Sequence, residues 1–242
     1  MDNVTAAKIM LSCLDLTSLH DNDSDEKIRD FCKKASTPYG GVAAVCVYSG
    51  FIPVVKQCCP EVKVATVINF PQGTDDEEIL EREIPLAIKL GADELDIVLP
   101  YKSLMAGKID KVRAYLRKAR QLCGQKVMKV IIESGELKTI KNIVLATTMC
   151  IEEKVDFVKT STGKTQVSAT PEAANVILEV IKSSGKNVGF KASGGIKSFA
   201  DAQSYLTLAQ SIMGANWVKS QHFRLGASAL LDDLLKTIEQ GY

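Results

Sequence analysis

The sequence predicts an α/β chain folded as one closed (β/α)8 barrel over residues 1–242, and three observations carry that prediction. Short β-rich runs alternate with longer amphipathic segments from near the start to the end, the pattern of a parallel sheet wrapped by helices. The alternation repeats eight times without a linker, a low-complexity tract or a sequence repeat, whereas an open doubly wound sheet shares only the local pattern. A chain of 242 residues with 46% hydrophobic residues can bury one large core, and suits one TIM-type barrel better than two small domains.

The elements follow in order. Strands are expected at Leu11–Leu16, Val42–Val47, Val64–Ile68, Glu94–Val98, Val127–Ile132, Phe157–Thr160, Val188–Ala192 and Trp217–Arg224. Helical patterns fill the gaps at Asp25–Ala35, Phe51–Cys58, Asp75–Leu90, Asp110–Leu122, Leu137–Glu152, Pro171–Ser183, Phe199–Met213 and Ser228–Gln240. Thr170 followed by Pro171 reads as a cap with proline at the first helical position, and Gly91, Gly185 and Gly214 stand where helices should stop.

Thirty basic residues against 29 acidic ones leave a formal charge of +1, so no global field favours nucleic acid or an anionic membrane. The expected partner is a small molecule. The start, Met1 to Thr5, has neither a basic nor an apolar leader region, and the apolar run Val42 to Tyr48 is too short to span a bilayer, so a cytoplasmic protein is expected. Seven cysteines, an odd number with Cys58 and Cys59 adjacent, argue for free thiols rather than a disulfide framework. The sequons at Asn3 and Asn22 carry no meaning without a secretory signal.

In a barrel of this kind the chemistry sits at the C-terminal ends of the strands, so polar residues there matter most. Asp15 closes the first expected strand, Cys46 lies near the end of the second, Asp96 in the fourth, Lys159 in the sixth and Lys191 in the seventh. Strand residues two apart share a face, so Lys159 falls with Phe157 and Lys191 with Gly189, both pointing into the barrel mouth. A lone strand-end lysine more often snorkels to water, and a lone Asp15 could cap a loop. Two lysines on consecutive strands, with aspartates on two others, favour a chemical role. Cys46 by itself reads as a small buried hydrophobe.

A second constellation joins glycines and hydroxyls. Ser161-Thr162-Gly163-Lys164, Ser193-Gly194-Gly195 and Gly226-Ala227-Ser228 are expected after the last three strands, where backbone amides and a helix N-terminus can bind phosphate. Gly163-Lys164 does not form a Walker A loop, since Val158 stands where the earlier glycine is required. No GxGxxG, HExxH, GxSxG or CxxC motif is present, and His20 and His222 are the only histidines, too few for a zinc site built on several imidazoles. Lysine chemistry remains.

At these residues the sequence resembles the deoxyribose-phosphate aldolase family, from about Lys8 to Leu235. Asp15-Leu16-Thr17 resembles the family's first-strand element, Ala44-Val45-Cys46-Val47 its second strand, and Glu94-Leu95-Asp96-Ile97-Val98 the segment with its catalytic aspartate. Phe157-Val158-Lys159-Thr160-Ser161-Thr162-Gly163 is similar to its Schiff-base motif, and Phe190-Lys191-Ala192-Ser193-Gly194-Gly195 to its second-lysine motif. The resemblance implies reversible cleavage of 2-deoxy-D-ribose 5-phosphate to acetaldehyde and D-glyceraldehyde 3-phosphate, in deoxyribonucleotide catabolism, with no metal or organic cofactor. It implies Lys159 as nucleophile, Lys191 and Asp96 in the proton relay and Asp15 in support. Cys46, Gly163, Lys164, Gly194, Gly195, Gly226 and Ser228 form the implied substrate-binding set, the last six around the phosphate. Lys197 departs from the family's usual arginine and Ala229 from a common serine, which removes a bidentate fork and a hydroxyl. A homodimer is compatible with this reading.

A lysine of ordinary pKa is neutral in only about one molecule in 2,500 at pH 7. Two ammonium groups about 5 Å apart at an effective dielectric of about 20 repel by roughly 3.3 kcal/mol, which would bring the neutral fraction to about a tenth. The expectation is that Lys191 activates Lys159 in this way. A non-catalytic barrel and an enolising isomerase are the alternatives, but neither gives the lysine pair a role. The terminal Tyr242 should lie far from the mouth, because a thirteen-residue last helix carries the chain roughly 20 Å toward the opposite face. Its deletion should leave turnover within about twofold.

Overall fold

In a computed structural model, which describes residues 1–241, eight parallel strands among the described residues close into a barrel with helices between them. Tyr242 lies outside the described residues. The strands are β1 (Leu14–Thr17), β2 (Ala44–Val47), β3 (Lys63–Ile68), β4 (Glu94–Val98), β5 (Val127–Ile131), β6 (Phe157–Lys159), β7 (Gly189–Ser193) and β8 (Phe223–Ala227). Each pairs with its sequence neighbours, and β1 pairs with β8 to close the ring. A two-residue antiparallel pair, Ser36–Thr37 with Gly40–Gly41, stands apart from it.

The first strand begins later than expected because Asn3–Ser12 forms a helix, α1. Asp2 caps it, its Oδ1 accepting from Thr5 N at 2.8 Å, and Ala6, Ala7, Met10 and Leu11 form its buried face. That face packs on the last helix and on the helix before it. Asp15 is therefore the second residue of β1 rather than its end. At the other end of the chain Ala215–Trp217 makes one tight turn and His222 N donates to Lys219 O, so β8 is displaced to Phe223–Ala227. Gly226 and Ala227 thus belong to the strand, and only Ser228 follows it.

The outer helices are α2 (Asp25–Cys32), α3 (Ile52–Cys58), α4 (Glu77–Leu90), α5 (Tyr101–Met105), α6 (Ile109–Cys123), α7 (Ser134–Leu137), α8 (Ile140–Glu152), α9 (Pro171–Ser184), α10 (Phe199–Met213) and α11 (Leu230–Glu239). Expected caps form at Thr170, whose hydroxyl accepts from Ala173 N, and at Gly91 and Gly185, both left-handed. The helix expected over Leu137–Glu152 keeps its end but starts later, as α8 at Ile140, because the one-turn α7 finishes at Leu137, Lys138 takes φ +62° and Thr139 caps the new helix. The short α5 went unseen in the sequence. These boundaries put the strand ends, and the loops that leave them, around one opening.

Candidate functional site in the barrel mouth

The parallel register aligns the polar interior. Asp96 is level with Lys129, Lys129 with Phe157, Lys159 with Lys191, and Lys191 with Arg224. Alternation turns all these ionic side chains inward, where water cannot solvate them, so each must find a partner. Asp15, Asp96, Lys129 and Lys191 are completely buried, and Glu94, Lys159 and Arg224 nearly so.

The partners form one network. Lys159 Nζ donates to Asp96 Oδ2 at 2.7 Å. Lys191 Nζ donates to the same oxygen at 2.7 Å and to Asp15 Oδ2 at 2.5 Å. Lys129 Nζ donates to Asp96 Oδ1 at 2.8 Å and lies 2.5 Å from Glu94 Oε2 and 3.5 Å from Asp15 Oδ2. Arg224 bonds Asp15 Oδ1 through Nη1 at 2.5 Å and Glu94 Oε1 through Nη2 at 2.9 Å, while its Nε donates to Ser220 O. Arg224 also lies 5.5 Å from the centre of the Phe157 ring.

Counting charges separates the lysines. Three carboxylates, on Asp15, Glu94 and Asp96, face four cations, on Lys129, Lys159, Lys191 and Arg224. With all four cations charged and all three carboxylates ionised the set carries one net positive charge among buried groups, and the proton most easily given up sits on the cation with the fewest carboxylate contacts. Lys159 has one; each of the others has two or more.

The titration directions agree. Lys159 falls below the ordinary lysine value, chiefly because burial disfavours its charged form, with repulsion from Lys191 adding to this and Asp96 opposing it. Lys191 and Lys129 lie above the ordinary value: burial is the largest influence on each and lowers it, but Asp15 and Asp96 outweigh it for Lys191, as Asp96 and Glu94 do for Lys129. Asp96 and Asp15 are held below the usual carboxylate range despite complete burial, Asp96 by its three lysines and Asp15 by Arg224, Lys191 and Lys129. The expected ammonium repulsion is thus the lesser influence on Lys159, because Lys159 and Lys191 share an Asp96 oxygen between them.

Lys159 is also where the network meets the outside. It lines a cleft of about 200 Å3 together with Gly163, Lys164, Gly194, Gly195, Gly226 and Ser228, so the expected glycine and hydroxyl residues do come together. Gly163, Gly194 and Gly195 have φ of +78°, +83° and +80°, a backbone region that side chains disfavour. At Gly226 a Cβ would come within 2.9 Å of Lys191 Cε, so this glycine also leaves room for the lysine chain. Lys164 Nζ donates to Leu19 O at 2.8 Å, tying the loop after β6 to the loop after β1. Lys197 lines the same cleft. Ala229 caps α11 without a side-chain hydrogen bond.

Cys46 does not line the cleft: it is completely buried with Leu19, Ala44, Ala65 and Val67, on a strand position that also feels the charges of Asp96, Lys191, Lys159 and Lys129. Its thiol is pushed up, mainly by burial.

Sequence reasoning missed Lys129, Glu94 and Arg224 as site residues. The signal was available: Glu94 shares a face with Asp96, Arg224 shares one with Gly226, and Lys129 interrupts the apolar run Val127 to Ile132. His20 also lines the cleft and was not expected there.

The family model described as DeoC/LacD family aldolase matches residues 9–236. A Coccidioides immitis protein, provisionally assigned as a deoxyribose-phosphate aldolase, superposes with a TM-score of 0.85 at 28% identity, covering 96% of this chain and 86% of its own. The aldolase QR15 gives 0.81 at 29% identity, covering 94% and 96%. A tetrameric deoxyribose phosphate aldolase from Aeropyrum pernix gives 0.79 at 23% identity over 100% and 98%, a likeness of fold.

Proposed function

Because the chain belongs to the DeoC/LacD aldolase family and is a carbon–carbon lyase, we propose that it works through a Schiff base on Lys159 and cleaves 2-deoxy-D-ribose 5-phosphate to acetaldehyde and D-glyceraldehyde 3-phosphate. The observation that carries this reading is that one lysine of the buried network both gives up its proton most easily and reaches the cleft. The substrate follows the names of the structural relatives and the glycine-rich rim, which offers backbone N–H groups to a phosphate. Such a reaction belongs to deoxyribonucleotide breakdown.

The neutral Lys159 amine attacks C1 of the open-chain sugar, and loss of water leaves a protonated imine. A base takes the proton of the C3 hydroxyl, the C2–C3 bond breaks, and its electrons pass into the iminium to give an enamine. Departure of D-glyceraldehyde 3-phosphate, protonation of the enamine at C2 and hydrolysis then release acetaldehyde and restore Lys159. Asp96, with an oxygen 2.7 Å from both Lys159 and Lys191, is placed to pass protons among them and a water. Asp15 acts through Lys191, fixing its position and keeping it charged. Gly163, Lys164, Gly194, Gly195, Gly226 and Ser228 hold the phosphate.

Borohydride reduction in the presence of acetaldehyde or 2-deoxyribose 5-phosphate, followed by mass-spectrometric mapping, tests the reading. The reduced adduct is expected on Lys159. An adduct on Lys191, or none, would overturn it.

A further inference from the structure

Glu133 stands two residues beyond the end of β5, is completely buried, and adopts φ +51°, a conformation that costs a non-glycine residue energy. Among the described residues no ion pair within 4.0 Å includes its carboxylate; burial raises its pKa, and the hydrogen bonds from Thr162 and Thr165 and the more distant charge of Lys159 oppose this without outweighing it. A strained, unpaired buried acid is a costly feature, which directs attention to what it holds.

All its side-chain hydrogen bonds go to the loop after β6. Thr162 N lies 3.3 Å from each carboxylate oxygen, Thr162 Oγ1 donates to Oε2 at 2.6 Å, and Thr165 Oγ1 donates to Oε1 at 3.2 Å. The hydroxyl of Thr162 accepts from Lys164 N at 3.1 Å, so its own hydrogen is free to point only at Glu133. The direction of the chain from Lys164 N through Thr162 to Glu133 is therefore fixed, and Glu133 must end it as an acceptor. The same segment is held from beneath: a Cβ on Gly135 would run into Val167 O, and one on Gly194 would come within 2.6 Å of Ser168 Oγ. Between these anchors lie Gly163 and Lys164, both on the cleft.

We infer that Glu133 is a positioning residue that sets the Thr162–Thr165 loop in the shape that receives the phosphate, and so governs affinity for phosphorylated substrate rather than the chemistry at Lys159. This rests on the proposed function in taking the cleft as a phosphate site. Glutamine keeps an acceptor for Thr162 at the same reach, alanine keeps none, and aspartate keeps the charge but stops one methylene short.

The experiment compares wild type with Glu133→Ala, Glu133→Asp and Glu133→Gln on 2-deoxyribose 5-phosphate and on unphosphorylated 2-deoxyribose. Ala and Asp are expected to raise KM for the phosphorylated sugar by about tenfold, while Gln stays within about threefold and kcat on 2-deoxyribose stays within about twofold throughout. Borohydride trapping with acetaldehyde should be unchanged. Equal losses on both sugars, or an unchanged KM in the Asp variant, would overturn the inference; should the Ala protein fail to fold, the Asp and Gln pair gives the same comparison. Inorganic phosphate binding, measured by calorimetry, separates this inference from the activity itself. A wild type that binds phosphate but neither traps nor cleaves defeats the activity reading alone, and Glu133→Asp must still bind phosphate about tenfold more weakly for the inference to stand. A wild type that does not bind phosphate overturns it.

Discussion

The interior of the barrel and its rim use charge in opposite ways. Inside, seven ionic side chains stand on six strands and bond one another directly. At the rim, Lys164 and Lys197 are exposed, on loops shaped by glycines. Strands fix a side chain by register, so a buried network can place one amine against one carboxylate oxygen; loops fix backbone N–H groups, which suit a phosphate that needs many modest contacts. The difference teaches that, under the proposed function, reactivity and affinity should be separable, with Lys159 the residue that belongs to both regions.

The sharpest way to break that division is Lys159→Met. Activity and borohydride trapping should fall to background while the protein stays folded, because removing the one weakly paired cation leaves three carboxylates facing three cations. Loss of folding would show that the network needs a charged Lys159. Circular dichroism beside the trapping assay separates the outcomes.

Lys129→Met should do the reverse, striking stability before chemistry. It strips Glu94 and Asp96 of a buried partner, and breaking buried pairs by removing one member costs about 3–5 kcal/mol. A urea midpoint close to that of the wild type would mean that water enters the interior.

Lys191→Met tests the coupling between the amines. Lys191 lowers the pKa of Lys159 by repulsion and also occupies the Asp96 oxygen that would raise it, so its removal moves Lys159 upward on both counts. Imine formation should then need more alkaline solution, its optimum rising by one to three pH units on an order-of-magnitude estimate from the repulsion. Trapping at pH 7 equal to that of the wild type would leave burial as the sole cause of the lowered value.

The smallest effect belongs to the rim. Lys197→Arg with Ala229→Ser should lower KM for the phosphorylated sugar a few-fold and leave turnover of 2-deoxyribose unchanged, since uniform binding acts on KM. An equal change on both sugars would remove these positions from the phosphate site.

How far these regions can be read from sequence differs too. Lys159, Lys191, Asp96 and Asp15 were legible because charged residues inside apolar runs are rare enough to demand a reason, and the glycine clusters because left-handed backbone favours glycine. Glu133 was not legible: a glutamate after a strand is ordinary until its burial and its hold on Thr162 are seen. Helix α1 carried its signal in Asp2 and the spacing of Ala6, Ala7, Met10 and Leu11, but its apolar end ran on into β1 and blurred the boundary.

By itself the sequence determined the alternation of strands and helices, and with it the closed barrel and the residues that point inward, because strand and helix periods are local properties of the chain. Which inward charges meet was decided only by tertiary structure. Register sets Lys159 level with Lys191 and Asp96 level with Lys129, and barrel closure brings Arg224 on the last strand to Asp15 on the first. The protonation of Lys159 depends on that meeting, since it follows from burial and from a balance of charges summed over residues 209 positions apart.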